Sequence, residues 1–417
     1  MSLGCCARIG FRPFAFSGQL VCTIGAGSAL PLGVGAPAGE GKNISVDFLE
    51  DGYRIDGEMS EGRLEMVVLG LSGAGRLLLE AASQSEGFRL QAVADRDGNL
   101  AERLGGEYGC AAYDDYRQLI TAADARLGSV ERCLLVGASM HSCEEYVRLA
   151  IRKGFNVVLA APGARHFEEA AELVRLAEEE GVRLAVANPR RFAGSFAAVR
   201  EYLREGRIED VFLVAAFCSF AGRQRPRWQS DPKLAGGGVL LHWGYSIVDQ
   251  ILWNFPLPEQ VYSLVTNEAA DRQQRLSLTE DTAVVAMKFS DRLLGNLIVS
   301  GRSSVWPRQE FVKVCGKDRI LVVNDNRLTV RDGQGQVCQE FEYEDDPVGC
   351  ARRMLDDFRL AVLQPGHKEL CTSGRENLKN IAFIESAYLS ARTGMPEEPG
   401  RILQMGQLEP SDVEDIR

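Results

Sequence analysis

The chain has no Cys-x-x-Cys pair and only four histidines, His141, His166, His242 and His367, none at metal-ligand spacing. This argues against a dedicated zinc or other metal site. Its eleven cysteines are odd in number and, apart from vicinal Cys5-Cys6, stand singly. That pattern excludes a disulfide framework and fits a reducing cytoplasm. Positive charge is also scarce: 47 Lys and Arg against 58 Asp and Glu give a net charge of −11. Nucleic acid and anionic membrane both require basic surface, so neither is expected as a partner. No stretch reaches the roughly 18 to 20 continuous apolar residues of a membrane span.

What is present is an ordinary globular composition, 45% hydrophobic and 25% charged over 417 residues, enough for two or three domains. The informative stretch runs from Glu65 to Asp95. Met66 to Leu69 is a short apolar run ending in Gly70-Leu-Ser-Gly-Ala-Gly75. Helix formers follow from Arg76, and a second apolar run, Phe88 to Ala94, closes on Asp95. Strand, glycine turn, helix, strand and acid, in that order, form the layout of a dinucleotide-binding unit. Gly70 permits the sharp turn, Gly75 permits close helix–sheet packing, and the N–H groups opening the helix at Ala74 face a pyrophosphate. Asp95 takes ribose hydroxyls, and Arg96 is available for a 2′-phosphate. The middle glycine of the fingerprint is Ser72, with Gly73 beside it to supply room. These residues predict NAD or NADP as cofactor.

From Leu64 to Ala187 the pattern alternates strand and helix, which predicts a parallel sheet with helices on both faces. Strands are expected at Arg132–Val136, Asn156–Ala160 and Val182–Ala187, with helices at Leu100–Tyr108, Tyr113–Ala123, Cys143–Arg152 and His166–Glu180. Beyond Pro189 the character changes. Strands crowd from Val211 to Val330 with few helices between them, so this half reads as a mostly antiparallel sheet covered by helices at Cys350–Val362 and Asn377–Thr393. The fold class is therefore α/β: an N-terminal doubly wound Rossmann domain over 63–187 and a C-terminal α/β domain with a large open sheet over 188–405, followed by a tail at 406–417. Residues 1–62 form an extension with an uncharged Gly/Ala/Pro-rich stretch and a hairpin pattern at 44–56. An arm onto a neighbour, an export signal with a poor apolar core, and a gene start nearer Met59 all stay open as its explanation.

The order of elements, with Ala94-Asp95-Arg96-Asp97, Arg190-Arg191-Phe192, Asp231-Pro232, Gly236-Gly237-Gly238 and the closing Ala387-to-Gly394 segment, resembles the Gfo/Idh/MocA family of NAD(P)-dependent oxidoreductases. The resemblance implies hydride transfer to or from a small carbonyl, imine or sugar-like substrate. It places Ala138, Ala161 and Pro162 against the cofactor. By the same resemblance, the exposed sheet implies a homo-oligomer, a dimer or tetramer. The family's catalytic lysine, aspartate and histidine positions, however, hold Ala161, His242 and Ser246. A reaction at a hydroxyl or carbonyl needs a group whose pKa lies near the working pH, and histidine is the natural choice. His242 is thus the candidate proton-transfer residue and Tyr245 a candidate donor; the alternative is that both fill space left by a lost site. Arg191, Trp228, Ser246 and Asp249 are the substrate-side candidates, although Arg190 and Arg191 equally suit ion pairs at the domain junction. His141 reads as a solvated or capping residue and Cys143 as core filler. A catalytically inactive nucleotide- or ligand-binding homologue is the competing function.

Overall fold

The structure, a computed structural model, describes residues 62–127, 131–221, 226–268, 278–303, 308–324, 326–364, 366 and 370–406. The hairpin expected at 44–56 and His367 lie outside the described residues.

Strands β1 (Leu64–Leu69), β2 (Phe88–Ala94), β3 (Ala111–Tyr113), β4 (Arg132–Val136), β5 (Asn156–Ala160) and β6 (Leu184–Ala187) form a parallel sheet in the order β3-β2-β1-β4-β5-β6. Helices α1 (Ala74–Ser83), α2 (Gly98–Tyr108), α3 (Tyr116–Leu127), α4 (Met140–Arg152) and α5 (Phe167–Glu179) make the crossovers. β1 is buried almost throughout because helices cover both faces, hence its unbroken apolar run. α1 turns Leu78, Leu79, Ala81 and Ala82 inward. The Asp97 side chain caps α2 by accepting the Leu100 N–H at 3.2 Å, and left-handed Gly109 ends it.

After a 3-10 turn at Pro189–Phe192 come α6 (Gly194–Arg204), β7 (Leu213–Ala221), a second 3-10 turn at Arg227–Ser230, and α7 (Pro232–Ala235), α8 (Val239–His242) and α9 (Tyr245–Asn254). The second sheet adds β8 (Gln260–Thr266), β9 (Thr282–Lys288), β10 (Leu294–Ser303), β11 (Gln309–Cys315), β12 (Arg319–Asn324), β13 (Arg327–Asp332) and β14 (Val337–Glu342). Its order is β14-β13-β12-β11-β7-β10-β9-β8, antiparallel except where β10 meets β7. One face is buried: Ala283, Val285 and Met287 of β9 point into the core, while Val284 between them is 41% exposed.

The chain then returns to the first sheet through α10 (Pro347–Leu363) and α11 (Gly374–Thr393), and α12 (Pro399–Met405) closes the described part. The Val186 N–H donates to the Thr372 carbonyl at 3.0 Å, and Ser85 Oγ donates to Asp356 at 2.7 Å. These contacts tie the first sheet to the returning C-terminal segment, and open α/β sheets bind their ligands at the carboxyl ends of the parallel strands.

Candidate functional site

The loop after β1 is packed so tightly that side chains are excluded from it. A Cβ on Gly70 would lie 2.4 Å from the Ala138 nitrogen, and Gly70 has φ 79°. A Cβ on Gly75 would lie 1.8 Å from the Gly70 carbonyl oxygen, and one on Gly137 would lie 2.2 Å from the Gly75 Cα. The start of α1 is therefore pressed against both β1 and β4. Gly73, at φ 53°, faces open space within 4 Å, and Ser72 and Ala74 are exposed beside it. The room for a phosphate lies over Gly73 and the first amides of α1.

Asp95 shapes this loop. Its Oδ2 accepts the Leu71 N–H at 2.7 Å and its Oδ1 the Asp97 N–H at 2.9 Å. Each carboxylate oxygen has a second lone pair with which to accept a ribose hydroxyl. Arg96 crosses toward α4, donating to the Ser142 carbonyl at 3.0 Å with its guanidinium 5.6 Å from the Tyr116 ring centre. These residues suit a dinucleotide, with Gly70, Gly73, Ala74 and Asp95 as its cradle and Arg96 beside the ribose.

A second cluster joins the loop after β4 to the other domain. The His141 ring lies 4.7 Å from the Trp228 ring, and Trp228 meets His242 edge-on at 5.5 Å. The His141 Nδ1 is buried and has no hydrogen-bond partner among the described residues. Burial, then the cations Arg165 and Arg96, hold its pKa below the ordinary histidine value. His141 is half-buried and is not the cap. The residue at the N-cap position is Ser139, and the imidazole is wedged into the domain junction.

His242 ends α8. Its Nε2 lies 3.1 Å from the Ala235 carbonyl; that oxygen can only accept, so Nε2 carries a proton and donates it there. The triple glycine sets this position, since Cβ atoms on Gly236, Gly237 and Gly238 would meet Arg165 O at 2.2 Å, Tyr388 Oη at 2.3 Å and Glu280 O at 2.1 Å. Buried Glu280 accepts the Gly238 and Leu240 N–H groups at 2.7 and 2.9 Å and the Tyr388 hydroxyl at 2.8 Å. Burial raises the Glu280 pKa. Glu280 and Tyr388 hold the short helix; Tyr388 lies in the Ala387-to-Gly394 segment, whereas Glu280 has no sequence signal, because a lone acid before a strand carries no signature.

Other candidates lie elsewhere. Tyr245 is 2% exposed, and its hydroxyl donates to Asn377 Oδ1 while accepting from Asn380 at 3.1 Å. Burial pushes its pKa up. Asp249, 1% exposed, receives Arg191 Nε at 2.9 Å and Nη2 at 2.6 Å, together with Asn380 Nδ2 at 2.8 Å and Asn188 Nδ2 at 3.2 Å. Arg191 is 2% exposed and its Nη1 donates to the Cys371 carbonyl at 2.6 Å. Tyr245, Asp249 and Arg191 are thus closed into a polar core behind the cleft instead of opening onto it. Arg190 pairs with Glu310. Ser246 is half-buried, and Ala161 is exposed in the β5 loop next to half-buried Pro162. Cys143 is buried, which pushes its thiol up to about 12.

A model of the oxidoreductase family NAD-binding Rossmann fold matches residues 64–188, and one of the family's C-terminal alpha/beta domain matches 200–398. The 1,5-anhydro-D-fructose reductase of Ensifer adhaerens is 34% identical over 262 residues, 61% of this chain and 75% of that enzyme. The scyllo-inositol 2-dehydrogenase (NADP(+)) of Bacillus subtilis is 29% identical over 43% of this chain, which spans about half of that enzyme's length (48%). Among solved structures, the inositol dehydrogenase homolog complexed with NAD+ from Azotobacter vinelandii superposes with a TM-score of 0.71 at 18% identity, covering 81% of this chain and 97% of that one. The chain belongs to the Gfo/Idh/MocA family of oxidoreductases and carries that family's NAD(P)-binding Rossmann domain.

Proposed function

We propose that this protein transfers hydride between a bound nicotinamide and a sugar-like or cyclic polyol substrate or its carbonyl form, with His242 as the proton-transfer residue. The observation that carries the reading is the position of His242: its Nε2 donates to the Ala235 carbonyl, and Trp228 stands between its ring and that of His141, which follows the β4 loop packed against Gly70.

The nicotinamide, when bound, supplies the hydride acceptor or donor. This chain's residues would hold its pyrophosphate over Gly73 and Ala74, its ribose at Asp95 and its remaining face near Ala138, Ala161 and Pro162. In the oxidative direction His242 Nδ1 takes the substrate hydroxyl proton; in the reductive direction it returns that proton to the carbonyl oxygen. Trp228 meets the imidazole edge-on and shields one side of it. The sugar-like substrate class is supported by the relatives named above. We further propose assembly as a homo-oligomer through the outer sheet face, where Leu264, Val284 and Leu294 are 60, 41 and 54% exposed.

One observation favours a second reading, a nucleotide-binding protein without hydride chemistry. Ala161 stands where the family carries an amine, and Ser246 brings no group that titrates near neutral pH. A screen of cyclic polyols and aldoses with NAD+ and NADP+, using His242→Ala as control, decides between them. Turnover lost in the variant supports the proposal; no turnover with any substrate despite cofactor binding favours the second reading.

A further inference from the structure

On the far side of β6 from β5, away from the glycine loop, a cavity of about 750 Å³ opens between the end of α5, the end of α9 and the start of α11. That volume falls in the range of small-molecule sites. In a chain of net charge −11 its wall carries five cationic side chains against two carboxylates. The carboxylates are engaged: Glu178 with Arg375 at 2.6 Å and Glu376 with Lys379 at 2.8 Å. Arg191 forms the floor, held rigid by Asp249 behind it.

Two guanidiniums frame an indole within this wall. Arg200 lies 4.4 Å and Arg191 5.5 Å from the Trp253 ring centre, and Arg200 Nη1 also donates to the Trp253 carbonyl. Cation–π contact and hydrogen bonding fix both charges before any ligand arrives. Arg183 is different. It is half-buried on the cavity wall, and among the described residues its side chain makes no hydrogen bond or ion pair. Arg375, Lys379 and Arg191 are each paired with a carboxylate, whereas half-buried Arg183 has none among the described residues, and an anion offsets the cost of its partial desolvation. The planar guanidinium of Arg183 matches two oxygens of a phosphate.

We infer that this cavity is a binding site for a phosphate-bearing small molecule, separate from the cofactor cradle and independent of the hydride-transfer reading. Isothermal titration of the full chain with inorganic phosphate and with pyrophosphate, each with and without saturating NADH, tests it. NADH fills the phosphate cradle at α1, so heat that persists in its presence reports the second site. The expected result is saturable binding that survives NADH and weakens at least tenfold in Arg183→Glu and in Lys379→Glu, with melting temperature and NADH affinity unchanged. Arg183→Gln provides a milder variant should charge reversal impair folding. A preference for pyrophosphate identifies a phosphorylated metabolite as the occupant, and equal binding identifies free phosphate. Binding abolished by NADH, binding equal in the Arg183 variants, or no binding at 10 mM phosphate (about the weakest affinity worth assigning, near 3 kcal/mol) overturns the inference.

Discussion

Arg191 and Asp249 form a two-pronged ion pair with both side chains at most 2% exposed, at 2.6 and 2.9 Å. A buried pair of this kind contributes little net stability when whole, but removing one partner leaves an uncompensated charge at a cost of about 3–5 kcal/mol. Asp249→Ala should therefore lower unfolding stability by about that amount in urea denaturation. Ser246→Ala, one turn earlier on α9 and without a hydrogen bond among the described residues, should stay within about 0.5 kcal/mol. Equal stabilities for the two variants would contradict this account of the α9 core.

Tyr245 belongs with that pair. Tyr245→Phe leaves Asn377 and Asn380 each short of a partner and should cost about 1–3 kcal/mol of stability. Turnover per folded molecule should change less than fivefold. His242→Ala should do the reverse, lowering kcat by about a hundredfold or more with little change in stability. Steady-state kinetics beside thermal denaturation separates the two roles.

The neighbouring imidazole gives a pH signature. His141 is held below its unfolded value of about 6.5 by burial and by Arg165 and Arg96. As pH falls below that value the unfolded chain takes up a proton that folded His141 refuses. Its contribution to stability is therefore complete above about pH 6.5 and is lost as pH falls through the folded pKa. With only four histidines in the chain, its imidazole signal can be assigned by NMR. It should titrate below 6.5, and His141→Gln should flatten the acid limb of the stability profile between the two values. A His141 signal that titrates at or above 6.5 would remove the basis for this prediction.

The proposed reader of the ribose 2′-position is Arg96, whose guanidinium is anchored at Ser142 and Tyr116. Arg96→Ala should weaken NADPH about tenfold more than NADH, the value of a charge-assisted contact to one phosphate. Equal losses for the two cofactors, measured by fluorescence titration, would show that Arg96 does not read the 2′-position.

The fold was legible because its signals are local. The apolar run into Gly70 and the one from Phe88 to Asp95 mark β1, the loop and β2, and the alternation of Thr282 to Lys288 shows in β9 as a half-buried strand. Short β3 and exposed β14, with no apolar run, left no comparable trace. The site was less legible, since its geometry is made by residues far apart in sequence. Tyr245 and Asp249 share a helix with Ser246, but which face meets Asn377 and Asn380 depends on α11, more than 120 residues later. Gly137 lacks a motif of its own; only its 2.2 Å approach to Gly75 gives it a role. Glu280 likewise matters only because α8 folds back onto it.

The central claim is a nicotinamide cradle of Gly70, Gly73, Gly75 and Asp95 serving a site built on His242. Titration of the purified chain with NADH and NADPH, followed by cofactor fluorescence and thermal shift, tests it most directly. At least one of them should bind at micromolar concentration, worth about 8 kcal/mol, and raise the melting temperature at millimolar ligand. That binding should be lost in Gly75→Ala, where the new methyl would meet the Gly70 carbonyl at 1.8 Å. Failure of the wild-type chain to bind either nucleotide would contradict the account.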